Sequence, residues 1–157
     1  MVVFEKKWGI YKEGAYAVVF FSEDGCATKV FKRRCNVSHS HVTNVFESEV
    51  KAYEVAAAHS KLVSLIPSFY GKVQVEKIVD ANGADISAGY YLDRAYQMQR
   101  VSGEFVKLGS LHFNDSREIR ELFIDVGIRH ISDASVVLGV NEKIECVIDF
   151  ALQEYEL

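Results

Sequence analysis

The chain has 157 residues, 49% of them hydrophobic and 25% charged, which excludes a disordered or low-complexity polymer and supplies enough apolar material for a real core. A formal charge of −4 argues against a general nucleic-acid binder. The three cysteines (Cys26, Cys35 and Cys146) form no Cys-x-x-Cys pair, so they suit reduced structural thiols, and no apolar run approaches the ~20 residues of a membrane span.

In chain order, Phe4–Ile10 reads as a strand and Tyr11–Tyr16 as its connection to a second strand, Ala17–Phe21. Ser22-Glu23-Asp24-Gly25 is a turn, because an Asp-Gly pair between two β-prone runs lets glycine take φ > 0. The next strand alternates. Cys26, Thr28, Val30 and Lys32 share one face, while Ala27, Lys29, Phe31 and Arg33 share the other. Lys29 thus stands among core residues, where its ammonium needs an anion or a path to water.

Residues 34–42 read as polar and irregular, and a helix is expected from Thr43 or Asn44 to about His59, with Glu47 as a capping partner of Asn44. On it Val42, Val45, Phe46, Val50, Tyr53, Ala56 and Ala57 fill an arc of about 140°. Glu47, Ser48, Lys51 and Glu54 lie opposite. Glu49 falls inside the apolar arc, and a buried carboxylate requires a cation. Lys29 and Glu49 explain each other; neither is well explained alone.

Leu62–Tyr70 leads past Pro67, the only proline. Val73–Val79 is expected as a strand, 80–83 as a turn, and Tyr90–Val101 as a long β stretch ending at Ser102-Gly103. Asp115 is expected to cap a second helix, with Glu118 at its third position, a stripe of Ile119, Leu122, Phe123 and Val126, and Gly127 as its stop. Val136–Gly139 and Lys143–Ile148 form a closing hairpin around Val140–Glu142. Met1–Lys7 lacks the apolar core of a signal peptide, so a soluble protein is expected.

This order of elements, with its motifs, resembles the protein kinase family. Lys12-Glu-Gly14-Ala-Tyr16-Ala17-Val-Val19 resembles the glycine-rich loop, Cys26-Ala-Thr-Lys29 the Val-Ala-Ile-Lys strand, and Phe46-Glu-Ser-Glu49 helix C. Met98-Gln-Arg-Val101-Ser-Gly103 resembles the gatekeeper and hinge, Gly127–Asp133 the approach to the catalytic loop, and Asp149-Phe150-Ala151 the Asp-Phe-Gly motif. The resemblance implies an α+β, kinase-like N-lobe over 1–103, a five-stranded antiparallel sheet plus helix C, with a reduced C-lobe over 104–157. It implies ATP and Mg²⁺ as cofactors, with Gly14, Val19, Lys29, Glu49, Met98, Gln99 and Val101 at the nucleotide. Lys29 would hold the α- and β-phosphates, Asp149 the metal, and Asp133 the acceptor hydroxyl of a Ser/Thr protein substrate.

The chain departs from the family in several places. Lys12 and Ala17 replace two of the three loop glycines, and Ala151 the last residue of Asp-Phe-Gly. Asp133 lies three residues after His130 where the family has two, with Ser132 at the strict position. The metal-binding asparagine is missing, and the sequence stops before an activation segment. Such brevity resembles, in architecture only, the OspG-like mini-kinases secreted by pathogenic bacteria. That resemblance implies an activating partner and a site of action inside a host cell, where the chain alone implies the cytoplasm. Apolar surface for a partner or second copy is expected near Ile144–Leu152.

Other readings stand beside these. A pseudokinase would bind nucleotide or protein without turnover. In an interaction domain without a nucleotide site, Lys29–Glu49 would be a structural ion pair, Asp149 a turn cap and Asp133 an ordinary loop residue. His130 reads better as a packed histidine than as a chemical group. Cys35, His39, His41 and His59 match none of the common zinc spacings.

Overall fold

The structure, a computed structural model, describes residues 2–153, the side chain of Asp115 excepted. The first strand, β1 (Val2–Lys6), is shorter than the expected Phe4–Ile10, because Gly9 at φ +89 turns the chain after Lys6. β1 does not join the meander. It pairs in parallel with β6 (Val75–Asp80), so that Phe4 stacks on Phe20 with ring centroids 4.8 Å apart. The strand that opens the meander is β2 (Tyr11–Glu13), inside the stretch read as a connection. Trp8, on the turn between β1 and β2, is 96% exposed.

β2 leads through Gly14–Tyr16 into β3 (Ala17–Phe21), and the Ser22–Gly25 turn leads into β4 (Cys26–Lys32). Gly25 takes φ +84 in that turn, and the Asp24 carboxylate accepts the Cys26 amide, as the Asp-Gly pair requires. With β5 (Phe69–Val73) and β7 (Tyr90–Gln99) these strands form a five-stranded sheet in the order β2-β3-β4-β7-β5. The β2–β3, β3–β4 and β4–β7 pairings are antiparallel. One face of the sheet carries Val18, Phe20, Val30 and Ala95 into a core with Phe4, Val75, Ile78 and Tyr90. The expected strand Val73–Val79 is divided between β5 and β6.

The helix α1 (His39–Ala57) begins four residues before Thr43. Ser38 explains the early start: its hydroxyl accepts the His41 amide and its carbonyl the Val42 amide, so Ser38 is the N-cap and Asn44 lies inside the helix. Val42, Val45, Phe46, Val50, Tyr53 and Ala56 are buried as the periodicity predicts, but Ala57 is exposed and Ser48 is buried.

The chain groups into two compact units, 1–46 with 70–100 and 47–69 with 101–157. The second unit contains β8 (Phe105–Lys107), α2 (Phe113–Asp125), β9 (Ser135–Leu138) and β10 (Ile144–Ile148). Its three-stranded sheet runs β10-β9-β8 with antiparallel pairings. β8 had no counterpart in the sequence reading. α2 starts at Phe113, with His112 at the N-cap accepting the Asn114 amide on Nδ1; the cap expected of Asp115 lies outside the described side chains. Gly127 at φ +90 ends α2, and Phe123 is its fully buried contact. Ile144, Val147, Phe150 and Ala151 are buried, so the apolar surface expected near Ile144–Leu152 is already covered within the chain. Among the described residues the chain is thus a mixed α/β protein with two α-helices and largely antiparallel sheets.

Candidate functional site

In the first unit, strand register places Val19, Lys29 and Tyr96 in one row across β3, β4 and β7. Cross-strand partners share a face, so Lys29 projects on the side of Ala27 and Phe31, as alternation predicts. Its ammonium lies 5.5 Å from the Phe31 ring centroid and 6.0 Å from that of Tyr96. These rings pack in turn on Phe46 of α1, at 5.6 and 6.4 Å. Lys29 is half-buried, held along its stem by aromatic surface. Toward the β3–β4 turn, Met98 pairs with Ala27 on the same face as Lys29, and Gln99 with Cys26 on the other; Met98 is buried and Gln99 exposed.

Gly14 occupies the tip of the β2–β3 hairpin, and its amide donates to the Ala17 carbonyl at 2.8 Å. The hairpin is strapped to the end of β4. Lys32 Nζ donates to the Gly14 carbonyl at 2.6 Å and to Glu13 at 3.1 Å, the Lys32 amide donates to the Tyr16 carbonyl at 2.8 Å, and Arg34 donates to the Ala15 carbonyl at 3.1 Å. Tyr16 Oη meets His41 Nε2 of α1 at 3.2 Å. Lys6 also pairs with Glu13. Burial alone would raise the Glu13 carboxyl, but Lys6 and Lys32 together hold it below its ordinary value. Glu13 in turn lifts the Lys6 ammonium against the opposing effect of burial. The basic run Lys32-Arg33-Arg34 therefore has a structural use.

In the second unit, Glu49 is 7% exposed on α1, inside the apolar face as the periodicity predicts. Asp149 follows β10 with φ +63 and an exposed side chain, while the next residue, Phe150, is buried. The Phe150 ring lies 4.4 Å from Tyr53 and 5.0 Å from Phe123, and Tyr53 stacks on Phe69 at 5.1 Å. The Asp149 amide donates to Tyr53 Oη at 3.3 Å. Burial pushes the Tyr53 phenol well above its ordinary range, and the charges of Asp149 and Glu49 push it further.

The His130–Asp133 loop lies beside this segment. His130 and Ala151 exchange two backbone hydrogen bonds, each 3.1 Å, and the Arg129 amide donates to the Leu152 carbonyl at 3.1 Å. Asp133 is exposed, and its carbonyl accepts Lys107 Nζ at 3.0 Å. The second unit thus holds Glu49, Asp149 and the loop bearing Asp133; in the first, Val19, Lys29 and Met98 share one face of the sheet, whereas Gly14 lies at the Lys32 end of β4 and Gln99 at its Cys26 end. Val101 lies just past the end of β7 and belongs to the second unit.

Sequence reasoning missed two participants. Tyr53 was read only as apolar filling, although a tyrosine on a buried face must find a partner for its hydroxyl. Ser48 was placed on the solvent side; its carbonyl accepts the Leu152 amide at 3.4 Å and its hydroxyl the Gln153 amide at 3.2 Å. Nothing in the local pattern around Ser48 signals this, because its partners come from the other end of the chain.

Among the described residues no group of three or more His, Cys, Asp or Glu side chains converges to hold a metal. Mg²⁺ is commonly held by one or two carboxylates together with substrate phosphate oxygens and water, and Asp149 is an exposed hard-oxygen donor of that kind. Comparison with protein-family models, with curated proteins and with solved structures finds no significant match.

Proposed function

We propose that the chain is a minimal kinase-like module that binds Mg²⁺-ATP and transfers the γ-phosphoryl group to a Ser/Thr hydroxyl. The observation that carries the reading is the second unit's junction. An acidic residue in the left-handed region follows a short hairpin, and its aromatic neighbour is buried under the helix that bears Glu49. The same segment is bonded through Ala151 to the loop that leads to Asp133. That is the arrangement expected if Asp149-Phe150-Ala151 and His130–Asp133 carry the roles of the motifs they resemble.

The roles follow. Lys29 neutralises the α- and β-phosphates, and Glu49 takes the role of the helix C glutamate that its motif resembles. Asp149 offers a carboxylate to the metal, which when bound supplies charge neutralisation at the β- and γ-phosphates. Asp133 takes the proton of the attacking hydroxyl while the bond from the γ-phosphorus to the ADP oxygen breaks. Positioning and charge account for most of such catalysis, so few groups are required.

A second reading, nucleotide binding without turnover, is favoured by the hairpin at Gly14. Its amide is already engaged by Ala17 and its carbonyl by Lys32, so the loop offers phosphate fewer free donors than a glycine-rich loop does. Mg²⁺-ATP is expected to raise the melting temperature under both readings, because a ligand selective for the folded state stabilises it. No shift at millimolar nucleotide would overturn both. Phosphoryl transfer, once detected in the wild type, is expected to vanish in Lys29→Met and Asp149→Ala. Transfer surviving in either variant shows that residue's role to be misassigned, and a nucleotide-dependent shift without any transfer selects the second reading.

A further inference from the structure

Among the described residues, three non-glycine residues have left-handed backbone: Asn141, Glu142 and Asp149. The first two lie in the turn between β9 and β10, where reversing the chain calls for that conformation. No hairpin turn calls for it at Asp149. An L-residue in this region carries backbone strain, and such strain persists only where the surroundings over-determine it.

The surroundings come from α1, α2 and the His130 loop. Downstream of Asp149, Ala151 is paired with His130, and Leu152 and Gln153 are bonded to Ser48. Phe150 is clamped between Tyr53 and Phe123. At the strained residue itself, the polar contact is Tyr53 Oη, which accepts the Asp149 amide from a fully buried position. A phenylalanine at this position would fill the same space without an acceptor.

We propose that Tyr53 is the positioning residue for Asp149, its hydroxyl holding the Asp149 backbone in the left-handed region and so setting the direction in which the carboxylate leaves the turn. The phenol oxygen accepts the amide through a lone pair, a bond that a phenyl ring in the same place lacks. The link from this contact to metal binding rests on the nucleotide reading above; the hold on the backbone does not.

The test compares the full-length wild type with Tyr53→Phe in two ways. Amide hydrogen exchange is measured over 149–153, and the Mg²⁺ concentration that half-saturates the ATP-dependent rise in melting temperature is titrated. The expected result is a folded variant in which the Asp149 amide exchanges about tenfold faster, in line with the loss of one hydrogen bond, while β9 and α2 amides keep their rates. The Mg²⁺ midpoint rises severalfold, whereas ATP binding measured in EDTA is unchanged. A merely structural role for Tyr53 would shift both ligands together or neither.

Unchanged exchange at Asp149 overturns the proposal. A wild type that shows no Mg²⁺-ATP response sinks the nucleotide reading instead, and the exchange data then judge Tyr53 alone. Should the phenylalanine variant not fold, the wild type decides: an Asp149 amide exchanging at the free-peptide rate overturns the proposal, and a protected one supports it.

Discussion

Asp149 shows how a single backbone angle can set stability against function. Glycine takes φ +63 without a Cβ penalty, whereas alanine at that angle meets a steric cost of roughly 1–2 kcal/mol. Asp149→Gly is therefore expected to exceed Asp149→Ala in unfolding free energy measured in urea, by about 1 kcal/mol, although both lack the carboxylate. The reverse order would show that the angle is not a source of strain. The thiols give a second expectation at this scale. Burial pushes the Cys146 thiol up to about 11, while Cys35 is exposed. Iodoacetamide at neutral pH should alkylate Cys35 first and Cys146 much more slowly. Labelling of Cys146 as fast as Cys35 would contradict this order.

At the scale of elements, the strapped hairpin and the start of α1 carry their own expectations. Glu13 is held below its ordinary carboxylate range, so its contribution is present at neutral pH and lost as pH falls below about 4.5. Lys6 is raised, so its contribution is present below about 10.5 and lost as pH climbs above that. Glu13→Gln should flatten both limbs of the pH–stability curve. The effect should stay under about 1 kcal/mol, because the groups are well exposed. Ser38→Ala should cost about 1 kcal/mol, the usual value of an N-cap, whereas Asn44→Ala should cost little. Equal costs would mean that the helix begins later than Ser38. These elements also show what a sequence makes legible. The β3–β4 turn and the face of α1 that buries Glu49 depend on neighbours within a few residues, so their pattern is written locally. The start of α1 was hidden because Ser38-His-Ser-His41 looks like loop until one asks which hydroxyl takes the third amide. β1 was misplaced for a different reason. Its partner, β6, lies some seventy residues away, and no local alternation announces a parallel pairing. The candidate residues followed the same rule: Glu49 was read from its own helix, whereas Tyr53 and Ser48 acquired their roles from the chain's far end.

At the scale of the molecule, each compact unit is assembled from two separate stretches of chain. A fragment ending at residue 103 therefore does not isolate a folded half. It would keep α1 but lose Phe150, which packs on Tyr53, and Phe123, which packs on Phe150. The expected outcome for fragment 1–103 is a broad, weakly cooperative melt with dye-accessible apolar surface. A sharp transition matching that of the full chain would show instead that the first unit holds without its companion. The same interleaving leads us to expect that destabilising substitutions near Asp149 will be felt along the whole of α1, because one helix supplies residues to both units.

The turn after β1 has a practical consequence for every one of these measurements. Trp8 is the sole tryptophan of the sequence and stands 96% exposed in the native protein. Its indole is already in water before unfolding begins, so its fluorescence maximum should barely move through denaturation. The informative chromophores are the buried tyrosines, Tyr53, Tyr90, Tyr91 and Tyr96, whose near-ultraviolet circular dichroism should collapse as their fixed packing is lost.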